Sequence, residues 1–162
     1  MTYKYLKKEW KEGEESFFFE LDSEGITMRQ IVGQKESLLV SNRPDFCLSE
    51  APIDVKYGIL IPQNEFQELW ELGNKPYRNE WIEARRKLKE GMELEGQIEV
   101  IYPQGIIIDL GGGRYGITDY EECRRVSGAH KIYPGNKIKG KISGFDDSNL
   151  WIVMKDPEVN GK

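Results

Sequence analysis

Three consecutive glycines, Gly111, Gly112 and Gly113, separate two runs of β-forming residues, Gly105 to Leu110 and Tyr115 to Thr118. Glycine reaches positive φ without steric cost, so such a gap between two strands reads as a tight hairpin. A phosphate cradle is disfavoured, because no glycine–lysine phosphate-loop pattern or helix start follows it. Three further runs flank the hairpin: Leu94 to Tyr102, Lys137 to Ser143 and Leu150 to Met154. Five short strands within about 65 residues read as a small closed barrel. Gly96 and Gly105 fall where a strand of so small a barrel must bend sharply.

The first half has a different texture. Tyr3 to Leu6, Phe17 to Leu21, Ile26 to Val32 and Leu38 to Val40 are each of strand length, and Gly13, Asp22-Ser23, Gly25 and Gly33 punctuate them. They predict an antiparallel meander of about four strands, followed by a long irregular connection from Asn42 to Tyr57. After Pro62, Phe66, Leu69 and Trp70 share one helical face, and Gly73 sits where the helix should stop. A second helix is expected between Pro76 and Gly91, with Trp81, Ile82, Arg85 and Leu88 on one face and a Glu83–Lys87 pair. The expected organisation is a small α+β domain over 1–73, a connector helix over 74–91 and an all-β five-stranded barrel over 92–157.

Several functional classes fall away on composition. The longest uncharged run, Val100 to Ile108, is far below the ~18 apolar residues of a membrane span. Lys4, Lys7 and Lys8 precede no apolar core, so the amino end does not read as a signal peptide. Cys47 and Cys123 are isolated and suggest neither a disulfide framework nor a zinc site. A cytoplasmic, non-membrane protein is the resulting expectation. The net charge of −5 argues against coating nucleic acid by bulk charge.

The order of the barrel pieces is more informative than any one of them. Glu90 to Gly96, Gln97 to Tyr102, Gly105 to Leu110, Gly111 to Ile117, Tyr133 to Ile138, Phe145-Asp146-Asp147 and Leu150 to Lys155 follow one another at set spacings. That series resembles the S1 RNA-binding domain, an OB-fold barrel, over roughly 88–157. The resemblance implies a stacking platform with aromatics on the second strand and a histidine or aromatic on the third. Here Gln104 and Ile107 occupy the two usual aromatic places and Asp119 the usual histidine place. Base stacking contributes about 1–3 kcal/mol per base, so a chain lacking all three contacts should bind weakly. The first 72 residues resemble a family of short bacterial proteins with no established activity. Tyr3 to Trp10, Glu20-Leu21-Asp22 and Glu65 to Trp70 carry that likeness, which implies a small sheet plus a helix.

Other residues offer substitutes for the platform. Tyr102, Tyr115, Tyr120 and Trp151 lie on or beside the barrel strands. Alternation of Leu150, Ile152 and Met154 turns Trp151 outward, either to stack a base or to pack against the other domain. Cys123 to Phe145 contains no acid but holds Arg124, Arg125, Lys131, Lys137, Lys139 and Lys141. The last three alternate with Ile138, Gly140 and Ile142, lining one strand face with ammonium groups. Such a stripe tracks phosphates, or else it is a solvated face that discourages edge pairing. The opposite sign dominates residues 1–78, which carry −4 of the net charge, with Glu9, Glu12, Glu14, Glu15, Glu20, Asp22 and Glu24 crowded together. They suit a solubilising surface or a dock for a basic protein.

Nothing in the chain assembles catalytic chemistry. The lone histidine, His130, belongs to a loop beside Ser127-Gly128-Ala129, and Cys123 has no histidine partner although Arg124 and Arg125 invite a lowered thiol pKa. Asp146-Asp147 reads as a turn. The expectation is a non-enzymatic bacterial protein with no cofactor and no metal. It would bind RNA or other single-stranded nucleic acid weakly through Arg124, Arg125, Lys131, Lys137, Lys139, Lys141, Tyr115, Tyr120 and Trp151. The competing expectation is an acidic module of immunity or inhibitor type that caps a basic partner, such as a nuclease.

Overall fold

The computed structural model describes residues 2–10, 14–43 and 48–160, so Lys11, Glu12, Gly13 and Cys47 lie outside the described residues. The chain divides into two compact units, Met1–Pro76 and Tyr77–Lys162. The architecture is mixed: one antiparallel sheet with a helix, and one closed five-stranded barrel.

In the first unit the strands are β1 (Lys4–Trp10), β2 (Glu15–Leu21), β3 (Thr27–Gln34), β4 (Ser37–Val40) and β5 (Ile59–Leu60). Their order is β4-β3-β2-β1-β5, the expected meander extended by one short strand. The connection before β5 is not wholly irregular, because Val55–Tyr57 forms a 3-10 turn capped by Asp54. Helix α1 (Gln63–Asn74) buries Phe66 and Trp70, as their spacing predicts. It runs past Gly73, whose missing Cβ lets the last turn approach Val40.

Tyr5, Glu20 and Arg29 are cross-strand neighbours on the face that α1 covers. Arg29 donates to both Glu20 carboxylate oxygens at 2.9 and 2.7 Å and to Gln67 of α1 at 3.2 Å. The Tyr5 hydroxyl donates to Glu20 at 2.9 Å. The Arg29 guanidinium lies 5.0 Å from the Phe66 ring and 4.8 Å from the Trp70 ring. Its charge is thus neutralised by Glu20 and supported by two aromatic faces. The opposite face of the sheet buries Leu6, Phe19 and Leu21 beneath Ile53 and Val55.

The second unit begins with α2 (Arg78–Lys87) and continues through β6 (Glu93–Tyr102), β7 (Gly105–Gly111), β8 (Arg114–Thr118), α3 (Tyr120–Ser127), β9 (Lys137–Asp146) and β10 (Trp151–Asn160). The barrel closes in the order β10-β8-β7-β6-β9, with β8 and β10 parallel and the remaining pairs antiparallel. This arrangement is compatible with an OB-fold. The triple glycine forms the β7–β8 hairpin turn, with φ of 83°, 65° and 78°. Gly96 and Gly105 mark close backbone approaches: a Cβ would fall 2.3 Å from the Asp109 carbonyl oxygen and 2.5 Å from that of Thr118, respectively.

The barrel interior is filled by Ile98, Ile106, Ile108, Ile138, Ile142, Leu150, Ile152 and Met154, and α2 with its C-cap residue Leu88 adds Trp81, Ala84 and Leu88 to the same cluster. Helix α2, expected as a connector, therefore contributes to the barrel core. Ile82 lies off its buried face at 47% exposure, and Glu83 pairs with Arg86 at 2.9 Å instead of with Lys87. Partners at i, i+3 and at i, i+4 both lie one turn away on a helix. Helix α3 is an addition to the five strands that the sequence pattern predicts for the barrel. Its signal is Asp119, whose side chain accepts the Glu122 amide as an N-cap.

Candidate nucleic-acid interface

Strand β9 turns Ile138 and Ile142 into the barrel and leaves Lys137, Lys139 and Lys141 on its outer face. Its neighbours change the meaning of that stripe. Lys141 lies between Glu93 of β6 and Lys155 of β10, Lys139 between Glu95 and Glu158, and Lys137 between Gln97 and Asn160. Directly paired residues in a sheet bring their side chains within about 5 Å. The segment that is acid-free along the sequence thus acquires three glutamates in space, and the lysines belong to a mixed-charge surface.

Helix α3 carries Tyr120, Arg124 and Arg125. Arg124 donates to Glu121 at 2.9 Å through Nε, and its Nη2 lies 2.8 Å from the same oxygen. That hydrogen bond and the carboxylate charge hold the guanidinium more firmly protonated. Arg125 is exposed on the same turn. Lys131 and His130 fall in a 3-10 turn, Ala129–Lys131, with Lys131 half-buried and His130 exposed. Tyr115 is half-buried on β8, opposite Asp109 of β7 and Trp151 of β10.

Of the two roles open to Trp151, its ring takes the packed one and is not an open platform. Ile152 and Met154 belong to the interior cluster and Trp151 does not, so the alternation holds. Yet Trp151 is only 2% exposed, and its ring centroid lies 6.5 Å from that of Tyr102. Ile107, at a usual aromatic place of the S1-like pattern, is fully buried.

An open cleft of about 390 Å³ lies where the β6–β7 hairpin meets the β8–α3 junction. Ile101, Tyr102, Pro103 and Gln104 line it from the hairpin, and Asp119, Tyr120 and Glu121 from the junction. Gln104 and Asp119, two of the three positions that depart from the S1-like platform, therefore share one site. In place of a basic, aromatic floor the cleft offers tyrosine rings, a side-chain amide and carboxylates. The sequence singled out Tyr120 but missed the cleft, because only the fold brings residues 101–104 beside residues 119–121.

Among the described residues no group of three or more His, Cys, Asp or Glu side chains is placed to hold a metal ion. Cys123 is fully buried, and burial, reinforced by the nearby Glu122 carboxylate, pushes its thiol pKa up, where the flanking arginines suggested a lowered value. Asp146 forms the expected turn, accepting the Ser148 and Asn149 amides at 3.0 and 3.1 Å. Asp147 goes further and anchors α2, accepting the Trp81 indole N–H at 2.7 Å. No helix among the described residues is long and apolar enough to cross a membrane. Compared with known proteins, the chain matches no protein-family model and no curated relative.

Proposed function

We propose that the second unit is an S1-like OB barrel that binds single-stranded RNA weakly and without catalysis, in a cytoplasmic bacterial protein. The observation carrying this reading is the strand order, in which β7 and β8 form the second and third strands and the cleft opens at the loop between the first and second. OB-folds bind oligonucleotides on that strand pair and at the first–second and fourth–fifth loops. Here Asp147, in the fourth–fifth loop, is engaged by α2, which leaves the cleft end open to a ligand. Arg125, Lys137, Lys139 and Lys141 supply phosphate contacts, while Glu93, Glu95 and Glu158 weaken them. Tyr120 is the stacking residue best placed for access, since Trp151 is buried. Fluorescence anisotropy with labelled single-stranded RNA at ~50 mM salt tests the reading, because phosphate-led contacts are strongest at low salt. Binding at micromolar protein that weakens as salt rises supports it; no binding there refutes it.

A second reading keeps the acidic first unit as the working surface, docking a basic protein. Exposed Glu9, Glu14 and Glu24 favour it, while Glu20 is withdrawn from that patch by its buried pairing with Arg29. Co-purification from the native host separates the two readings by showing whether nucleic acid or a basic protein accompanies the chain.

A further inference from the structure

Resting on the RNA-binding reading, we infer that the cleft between the β6–β7 hairpin and the β8–α3 junction holds one unstacked guanine base. Its walls include the half-exposed Tyr120, whose planar ring can receive a splayed-out base by stacking, beside the buried Tyr102. Its exposed polar groups are acceptors: the Asp119 and Glu121 carboxylates. Guanine alone among the four bases presents two adjacent donors, N1–H and N2–H₂, on its Watson–Crick edge. A carboxylate meets that pair with two parallel hydrogen bonds, whereas the adenine and uracil edges set acceptors against it.

The two carboxylates are already arranged for different duties. Asp119 Oδ2 accepts the Glu122 amide N–H at 2.8 Å, which fixes the side chain at the start of α3. Glu121 is paired to Arg124, which offsets its charge close to where a phosphate would pass. Arg125, exposed on the same helix, is free of acidic neighbours in sequence on its C-terminal side and is suited to that phosphate. A cleft of about 390 Å³ has room for one base and its sugar, and the site therefore reads one position in a strand.

The test measures anisotropy of the full chain with labelled hexauridylate in which one central residue is guanosine, inosine, adenosine or cytidine. Guanosine should tighten binding about tenfold over the other bases, the discrimination expected of a bidentate contact. Inosine, which lacks the N2 amino group, should lose most of that gain. Asp119→Asn, which retains an N-capping side chain, should erase the guanosine preference, bringing the guanosine and adenosine oligomers to the same affinity. Equal affinity for guanosine and inosine, with hexauridylate still bound, overturns the inference and leaves the RNA-binding reading standing. A protein that ignores every RNA and binds an arginine-rich peptide, with Asp119→Asn weakening that complex, overturns both.

Discussion

The indole N–H of Trp81 donates to Asp147 at 2.7 Å, joining the first helix of the barrel unit to the turn between β9 and β10. Arg85 adds contacts of 2.9 and 3.0 Å to the same carboxylate and lies 4.7 Å over the Phe145 ring, which Trp81 meets edge-on at 6.0 Å. Arg78 donates to the Asp147 carbonyl at 3.2 Å. One carboxylate therefore fixes the helix whose other face fills the barrel.

Asp147→Ala should cost about 2 kcal/mol: a hydrogen bond to a charged group contributes about 1.5–3 kcal/mol, and the exposed Arg85 pair adds little. Asp147→Asn, which keeps an acceptor for the indole, should cost less than half as much. Urea denaturation of the three proteins measures the difference. For the same reason residues 77–162 should fold by themselves, whereas residues 92–162, lacking buried Trp81, Ala84 and Leu88, should not. Circular dichroism of the two fragments decides this.

Glu20 and Arg29 form a buried pair, with side chains 10% and 11% exposed. Removing one partner strands the other charge, so Glu20→Ala should destabilise the first unit by about 3–5 kcal/mol. Arg29→Met together with Glu20→Leu should recover most of that loss, because a matched apolar pair removes both charges. Thermal denaturation of single and double variants checks the ordering.

Tyr5 should make the first unit sensitive to alkali. Burial, assisted by the hydrogen bond to Glu20, pushes its pKa from 10.0 up to about 12. Between those values the unfolded chain has released a proton that the folded chain still holds, so stability falls as pH rises. The contribution is fully present below pH 10 and lost on passing through about pH 12. Tyr5→Phe should flatten that part of the stability–pH curve.

The mixed-charge ladder on β6, β9 and β10 predicts opposite effects from neighbouring residues. Glu93→Gln with Glu95→Gln should raise affinity for single-stranded RNA by about threefold to tenfold at low salt, an effect screened away as ionic strength rises. Reversing Lys137, Lys139 and Lys141 to glutamate should abolish that binding, yet leave docking of a basic protein on the first unit intact. Anisotropy across a salt series reads both variants.

Local signals carried much of the fold. The triple glycine announced its hairpin because backbone freedom is a property of those residues alone, and Phe66 and Trp70 announced the buried face of α1 through their spacing. Where partners matter, the reading weakened. Trp81 and Leu88 marked an apolar helical face, but periodicity does not say what that face meets, so α2 read as a connector. Lys137, Lys139 and Lys141 lie on the predicted face, while Glu93, Glu95 and Glu158 reach them only through strand pairing. The cleft depends on the same long-range closure, with Gln104 and Asp119 brought together by the β7–β8 ladder.

Amide chemical-shift mapping of the ¹⁵N-labelled full chain during titration with single-stranded RNA at ~50 mM salt tests the central claim most directly, since phosphate contacts are strongest there. The account predicts shifts concentrated at residues 101–105 and 119–125, with smaller ones along Lys137, Lys139 and Lys141. An unperturbed spectrum, or shifts confined to the acidic strands of the first unit, would contradict it.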